Sequence, residues 1–230
     1  LVAGIGAYSG HVELGFNTVV PAGTSSYIRI GYEEEILNAL LAGSLGGLVN
    51  DLLNGVALGD HYFNVIVKDE NGNEVVTGSS RDLFDEANGQ IRLVQDTKGR
   101  YYLEIRPTVA YQSVRLEDHT TALLGALSSE GHLDVYGMCH TPTTFECPAV
   151  FSTSYEGSGL TLDALNLGGA GVQNAFWAID QNTSSASTLS LGTLNVGGSI
   201  QQHIQFGRVL AAGDPIQIKM KVGSGTLNAG

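Results

Sequence analysis

The groups best equipped for chemistry in this chain are its histidines, its acidic clusters and its two cysteines. A hydrolytic or transfer reaction needs converging groups with matched proton affinities. His11, His61, His119, His132, His140 and His203 show no helical i, i+4 metal spacing, and none stands beside a nucleophile signature. The densest local sets are Glu117-Asp118-His119 and Asp60-His61. Both fall at the ends of expected strands, where solvated turn residues are the ordinary explanation. Acid pairs that cleave sugars meet in space rather than in sequence, and no pair is singled out. Gly168-Gly169-Ala170-Gly171 lacks the Lys and the Ser or Thr of a phosphate loop and reads as a bend. No catalytic residue is expected, and the chain is read as a non-enzyme.

Cys139 and Cys147 lie eight positions apart (147 − 139 = 8), around His140, Thr141, Pro142 and Phe145. So short a loop can close as a disulfide, which would place the protein outside the cytoplasm. A zinc pair with His140 as a third local ligand, and two free thiols, are the competing readings. Sugar binding is the main functional alternative, because an exposed aromatic ring can stack on a sugar. Trp177 and Tyr155 are the first ligand-binding candidates and Tyr111 and Tyr8 the next, although a lone Trp beside Phe176 more often belongs to a core.

The elements that would position these groups are mostly strands. Thirty-one glycines, 15% charged residues and runs of Ser, Thr, Val and Leu favour short strands and tight turns. Alternation marks strands at His11 to Phe16, Tyr27 to Tyr32, Tyr62 to Lys68, Tyr101 to Arg106, Gln112 to Leu116 and Leu133 to Tyr136. Asp69 to Asn73 and Asp96 to Gly99 carry the Asn and Gly that hairpin turns need. The segment from Glu33 to Leu58 departs from this pattern. Ile36, Leu37, Leu40 and Leu41 share a helical face, Gly43 to Gly47 interrupts, and Leu48, Val49, Leu52 and Leu53 resume it. Two short helices are expected there, with Glu33, Glu34 and Glu35 at the positive end of the first dipole.

Charge narrows the partners. Twenty-three acidic against 11 basic residues give a formal charge of −12, which repels nucleic acid and anionic lipid. No run of about 18 apolar residues is present, so membrane insertion is not expected. The first residues read as mid-domain, with no initiating Met or leader, and the chain is expected to be an excerpt.

The two ends of the chain resemble each other. With Leu191 to Met220 set under Leu1 to Ile30, Phe16 meets Phe206, Val19 meets Val209, Ala22 meets Ala212, Gly23 meets Gly213 and Ile28 meets Ile218. The offset is constant, since 206 − 16 = 190 and 218 − 28 = 190. Leu14 over Ile204, Val20 over Leu210, Arg29 over Lys219 and Ile30 over Met220 are conservative pairs in the same frame. Tandem repetition is one reading. Two hairpins of one domain sharing common residues is the other.

Gly171 to Leu189, reading Gly-Val-Gln-Asn-Ala-Phe-Trp-Ala-Ile-Asp-Gln-Asn-Thr-Ser-Ser-Ala-Ser-Thr-Leu, resembles the opening of discoidin-like, galactose-binding-type sandwich modules. Ser113 to Leu116 and Leu133 to Tyr136 are similar to the closing strands of such modules. With Gly159 to Leu162, Ser190 to Gly192 and Leu58 to Phe63, the whole is similar to tandem repeats of long surface adhesins that gliding-type bacteria export by the type IX route. That resemblance implies an antiparallel jelly-roll β-sandwich with a small helical insertion, located extracellularly at the cell surface and acting as spacer or adhesive surface. Residues 1–139 would be the larger, C-terminal part of one repeat, with the helical insert at about 33–58. Residues 140–147 would be a linker and 148–230 the N-terminal part of the next repeat. Its partners would be neighbouring repeats, surface glycans or like chains in a fibre. The resemblance also implies a structural Ca²⁺ on Asp180, Asn182 and Thr183, the sole cofactor expected, although Gln181 replaces the usual Gly. The same residues also describe a turn capped by its own side chains.

Overall fold

Period-two alternation of apolar and polar residues decides the elements. The computed structural model describes residues 8–41, 61–120, 132–140, 152–161, 170–191, 195–207 and 209–222. Its strands are β1 (Tyr8–Val20), β2 (Ser26–Gly31), β3 (His61–Lys68), β4 (Glu74–Ser79), β5 (Ile91–Asp96) and β6 (Tyr101–Ile105). They continue with β7 (Tyr111–Thr120), β8 (Asp134–His140), β9 (Ser152–Thr161), β10 (Ala170–Gln173), β11 (Thr188–Leu191) and β12 (Asn195–Gln205). All described pairings are antiparallel.

Among the described residues the strands form a four-stranded sheet ordered β1-β7-β3-β4 and a six-stranded sheet ordered β12-β9-β5-β6-β2-β8, beside the small β10-β11 pair. One apolar cluster joins the two large sheets. Phe63, Val65, Val67, Val114 and Leu116 come from the first sheet, and Ile28, Ile30, Leu93, Leu103 and Ile105 from the second. The protein is therefore an all-β, sandwich-like structure in which each sheet buries one face.

Each expected strand lies within or across an observed one. The Asp69 turn closes the β3–β4 hairpin, with the Asp69 carboxylate accepting from Asn71 N and Asn73 N at 2.8 Å each and Gly72 at φ +81°. The Asp96 carboxylate closes the β5–β6 hairpin in the same way, accepting from Lys98 N and Arg100 N. Helix α1 (Glu34–Leu41) begins inside the Glu triplet and buries Ile36, Leu37, Leu40 and Leu41 against β5 and β9. The second expected helix, Leu48 to Leu53, lies outside the described residues. Among those residues no helix is long and apolar enough to cross a membrane.

β2 is the best-anchored strand near the repeat frame. It lies between β6 and β8, with Ile28 opposite Leu103 on one side and Met138 on the other. Tyr111 at the start of β7 reaches across the sandwich to the turn preceding β2, where its hydroxyl meets Ser26 Oγ and donates to Thr24 O at 3.0 Å. β8 runs through Cys139 and His140, so paired strand reaches one residue into the expected linker.

The segments related by the offset of 190 do not pair alike. β1 pairs with β7 in the four-stranded sheet, whereas β12 pairs with β9 in the six-stranded one. Phe16 packs edge-on against Tyr111 and His140, while Phe206 follows the end of β12. The turn that follows is shared. Thr24 N donates to Pro21 O at 3.1 Å and Asp214 N donates to Ala211 O at 3.1 Å, with Gly23 at φ +74° and Gly213 at φ +92°.

Candidate functional site

Three polar centres gather the groups that could act chemically. The first joins His61 to the sequence set Glu117-Asp118-His119 through the adjacent strands β3 and β7, while Asp60 lies outside the described residues. His61 Nδ1 lies 3.0 Å from Glu33 Oε1 and His61 Nε2 lies 2.8 Å from Asp118 Oδ1. The ring rests on Tyr32 at 4.7 Å. Glu117 pairs with Arg115 at 2.7 Å, and His119 takes Asn64 at 3.2 Å while stacking on Tyr62. Both ring nitrogens of His61 face carboxylates. The arrangement clamps the residue before α1 to the sheet. Glu33, the partner from the far side of the insert, is the member that sequence reading assigned to the helix dipole alone.

The second centre is Glu104, which has no counterpart in the sequence reading. Leu103 and Ile105 face the sandwich core, so Glu104 points to the opposite face of β6, yet it is only 3% exposed. Arg92 Nε donates to it at 2.6 Å, Gln205 Nε2 at 2.8 Å, Ser25 Oγ at 2.9 Å and Tyr27 OH at 3.2 Å. Burial, and then the Glu104 charge, push the Tyr27 phenol well above its ordinary value. A cavity of about 150 Å³ lined by Gly89, Gln90, Arg92, Glu104 and Arg106 lies beside it. Arg92 is held by Glu104, and Arg106 Nε donates to Gly23 O at 3.0 Å. The centre ties β12 to β2, β5 and β6.

The third centre is the loop of the expected calcium. Asp180 Oδ1 accepts from Asn182 N at 2.8 Å, Asp180 Oδ2 from Ser185 Oγ at 2.7 Å, and Asn182 Oδ1 from Ser184 N at 3.0 Å. Thr183 O accepts from Lys219 Nζ at 3.4 Å. One carboxylate, with both oxygens engaged by its own turn, does not match the six to eight oxygens that Ca²⁺ collects. Among the described residues no group of three or more His, Cys, Asp or Glu side chains is placed to hold a metal. The residues present fit a self-capped turn, in which Gln181 takes φ +65° where a Gly is usual.

The aromatic candidates separate. Trp177 sits on the short 3-10 turn Ala175–Ala178, 40% exposed, with Phe176 edge-on at 6.4 Å. Tyr155 packs against the core, and burial pushes its phenol up to about 12. Tyr111 is fully buried, which corrects the expectation that it is exposed. The side chain of Tyr8 lies outside the described residues, as does Cys147, partner of Cys139 in the expected disulfide. Of the other histidines, His203 faces Glu156 at 3.1 Å, His132 faces Asp134 at 3.6 Å, and His140 meets Phe16.

The joint between the strands after residue 151 and those before residue 141 has an apolar part, where Val172 and Ala175 enter the core cluster and Tyr155 and Ile200 pack against it, and a polar part. β9 meets β5 at two registered pairs, Gln95 with Thr153 and Asp96 with Ser152, all four residues buried. Gln202 Nε2 bonds Thr153 Oγ1 and Ala175 O, and Ser152 Oγ bonds Gln205 Oε1. Comparison of the chain with family models, with curated proteins and with solved structures finds no match.

Proposed function

We propose that the chain is a structural and adhesive module of a secreted, repetitive cell-surface protein, with a jelly-roll unit of about 190 residues as its period and no catalytic role. The observation that carries this reading is the shared turn. Residues 21–24 and 211–214 make the same i to i+3 hydrogen bond and place a Gly of positive φ at the same position of the frame. The matched strands around the turn differ in partners, and the reading accounts for this by assigning them to incomplete copies. β1 and β12 are both edge strands among the described residues, each lacking the neighbour that the other has.

Two further observations support it. The backbone pairing of β5 with β9 is limited to two registered pairs of buried polar residues, although Val172 and Ala175 share the apolar cluster of the two large sheets. His61 lies between Glu33 and Asp118, and Arg92 donates to Glu104, cross-links that would stiffen a spacer. A disulfide from Cys139 to Cys147 would add stiffness at the boundary between copies. Lectin-like sugar binding is the second reading, favoured by the exposure of Trp177. In either case neighbouring repeats are the nearest partners, with surface glycans or like chains beyond them.

The test is a chain of three head-to-tail copies of residues 1–190 followed by solution scattering. A spacer array gives a maximum dimension that grows by a constant step from one copy to two to three. A three-copy chain that scatters as one compact globule would refute the proposal. Loss of glycan binding on Trp177→Ala would favour the second reading.

A further inference from the structure

After the shared turn the tail continues Ile216-Gln217-Ile218-Lys219-Met220-Lys221-Val222, a strict alternation of apolar and polar residues. Such a pattern describes a strand with one buried face. Its apolar residues are instead exposed: Ile216 57%, Ile218 67%, Met220 79% and Val222 88%. Residues 214–222 are in no described sheet. In the 190 frame their counterparts are 24–32, which contain β2, where Ser26 and Ile28 are 0% and Ile30 3% exposed. The head strand is paired by β6 and β8, which hold its apolar face in the cluster shared with the opposite sheet.

We infer that residues 214–222 are a central strand whose partners come from a second copy of the folding unit, a β6-type strand along one edge and a β8-type strand along the other. The inference rests on the repeat argued under the proposed function and adds an occupant to it. Ile218 and Met220 take the core positions of Ile28 and Ile30. Lys219 takes the position of Arg29, whose guanidinium lies 4.3 Å over the Tyr136 ring of β8, and so faces the matching tyrosine of the second copy. Lys219 and Lys221 on the polar face keep the waiting strand from pairing indiscriminately, as charged residues do on open edges. Gly213 prepares the same chain reversal as Gly23, so the strand is already aimed by its own turn.

The experiment extends the full chain by its own residues 41–140 after Gly230, which preserves the frame because 230 − 40 = 190. Amide hydrogen exchange is read at residues 215–222 in the original and extended chains. The inference predicts fast exchange in the original and at least about a hundredfold slowing in the extended chain. It also predicts that Ile218→Asp abolishes that slowing. If the appended strands become protected while 215–222 stay fast, the inference is overturned and the repeat reading stands. If the appended segment is unprotected throughout, both are overturned.

Discussion

Residues 21–31 and 211–221 are two runs of similar sequence with the same turn and opposite fates. The first enters a sheet between two neighbours and loses nearly all solvent contact at Ile28. The second makes its turn and then runs exposed through Ile218. What differs is company, since the alternating pattern is as clear in the tail as in the head. A turn is decided by residues within four positions, whereas a central strand is decided by partners far away in the chain. In the head those partners are Leu103 and Met138, and Tyr111 fastens the strand entrance from the opposite sheet.

The sharpest way to break the comparison is a charge at the matched core position. Ile28→Asp puts a carboxylate into a fully buried site and is expected to lower the unfolding free energy by about 4 kcal/mol or more. Ile218→Asp is expected to stay within about 0.5 kcal/mol. Urea denaturation of the two variants measures both, and equal effects would erase the distinction.

A smaller effect sharpens it at Tyr111. Burial holds this phenol up at about 12, against an ordinary value of 10. The folded state therefore keeps the proton longer than the unfolded chain does. The associated stability is intact below pH 10 and is lost as pH rises toward 12. Tyr111→Phe is expected to cost about 1–3 kcal/mol at neutral pH through the lost bonds to Ser26 and Thr24. Its deficit relative to the parent should narrow between pH 10 and 12, as thermal melts across that range would record. Tyr27 and Tyr155, also raised by burial, leave the variant with some alkaline slope of its own.

The smallest contrast is at the turn glycines. A Cβ added at Gly23 or Gly213 meets nothing within 4 Å, so alanine there probes backbone conformation alone. Gly23→Ala is expected to cost about 1 kcal/mol, because positive φ strains an L residue. Gly213→Ala should leave the main unfolding transition unmoved, since the exposed segment it precedes is not held by that transition. Paired calorimetric scans test this.

Much of the sandwich is legible in the chain because strands and hairpins are local patterns. Tyr62 to Lys68 alternates cleanly, Asp69 to Asn73 carries its turn, and the apolar spacing from Ile36 to Leu41 matches a helix that buries those side chains. The polar centres are not legible in this way. Glu104 collects Ser25, Tyr27, Arg92 and Gln205 from three parts of the chain, and His61 finds Glu33 and Asp118. No spacing rule relates residues brought together only by the stacking of strands. Phe84 makes the same point from the apolar side. It is buried at φ +63°, and its ring fits because position 78 is Gly, where a Cβ would lie 3.1 Å from it. The Asp180 turn could be read either way from sequence, and its hydrogen bonds favour self-capping.

The central claim is that one folding unit of 190 residues recurs, with the head and tail of this chain as matching parts of successive copies. Pulling a single molecule of three head-to-tail copies of residues 1–190 measures the unit's size directly. The account predicts evenly spaced rupture events, each releasing roughly 63–68 nm of chain at about 3.3–3.6 Å per residue, less the few nanometres the folded unit already spans. One undivided unfolding event, or steps with no common length, would contradict it.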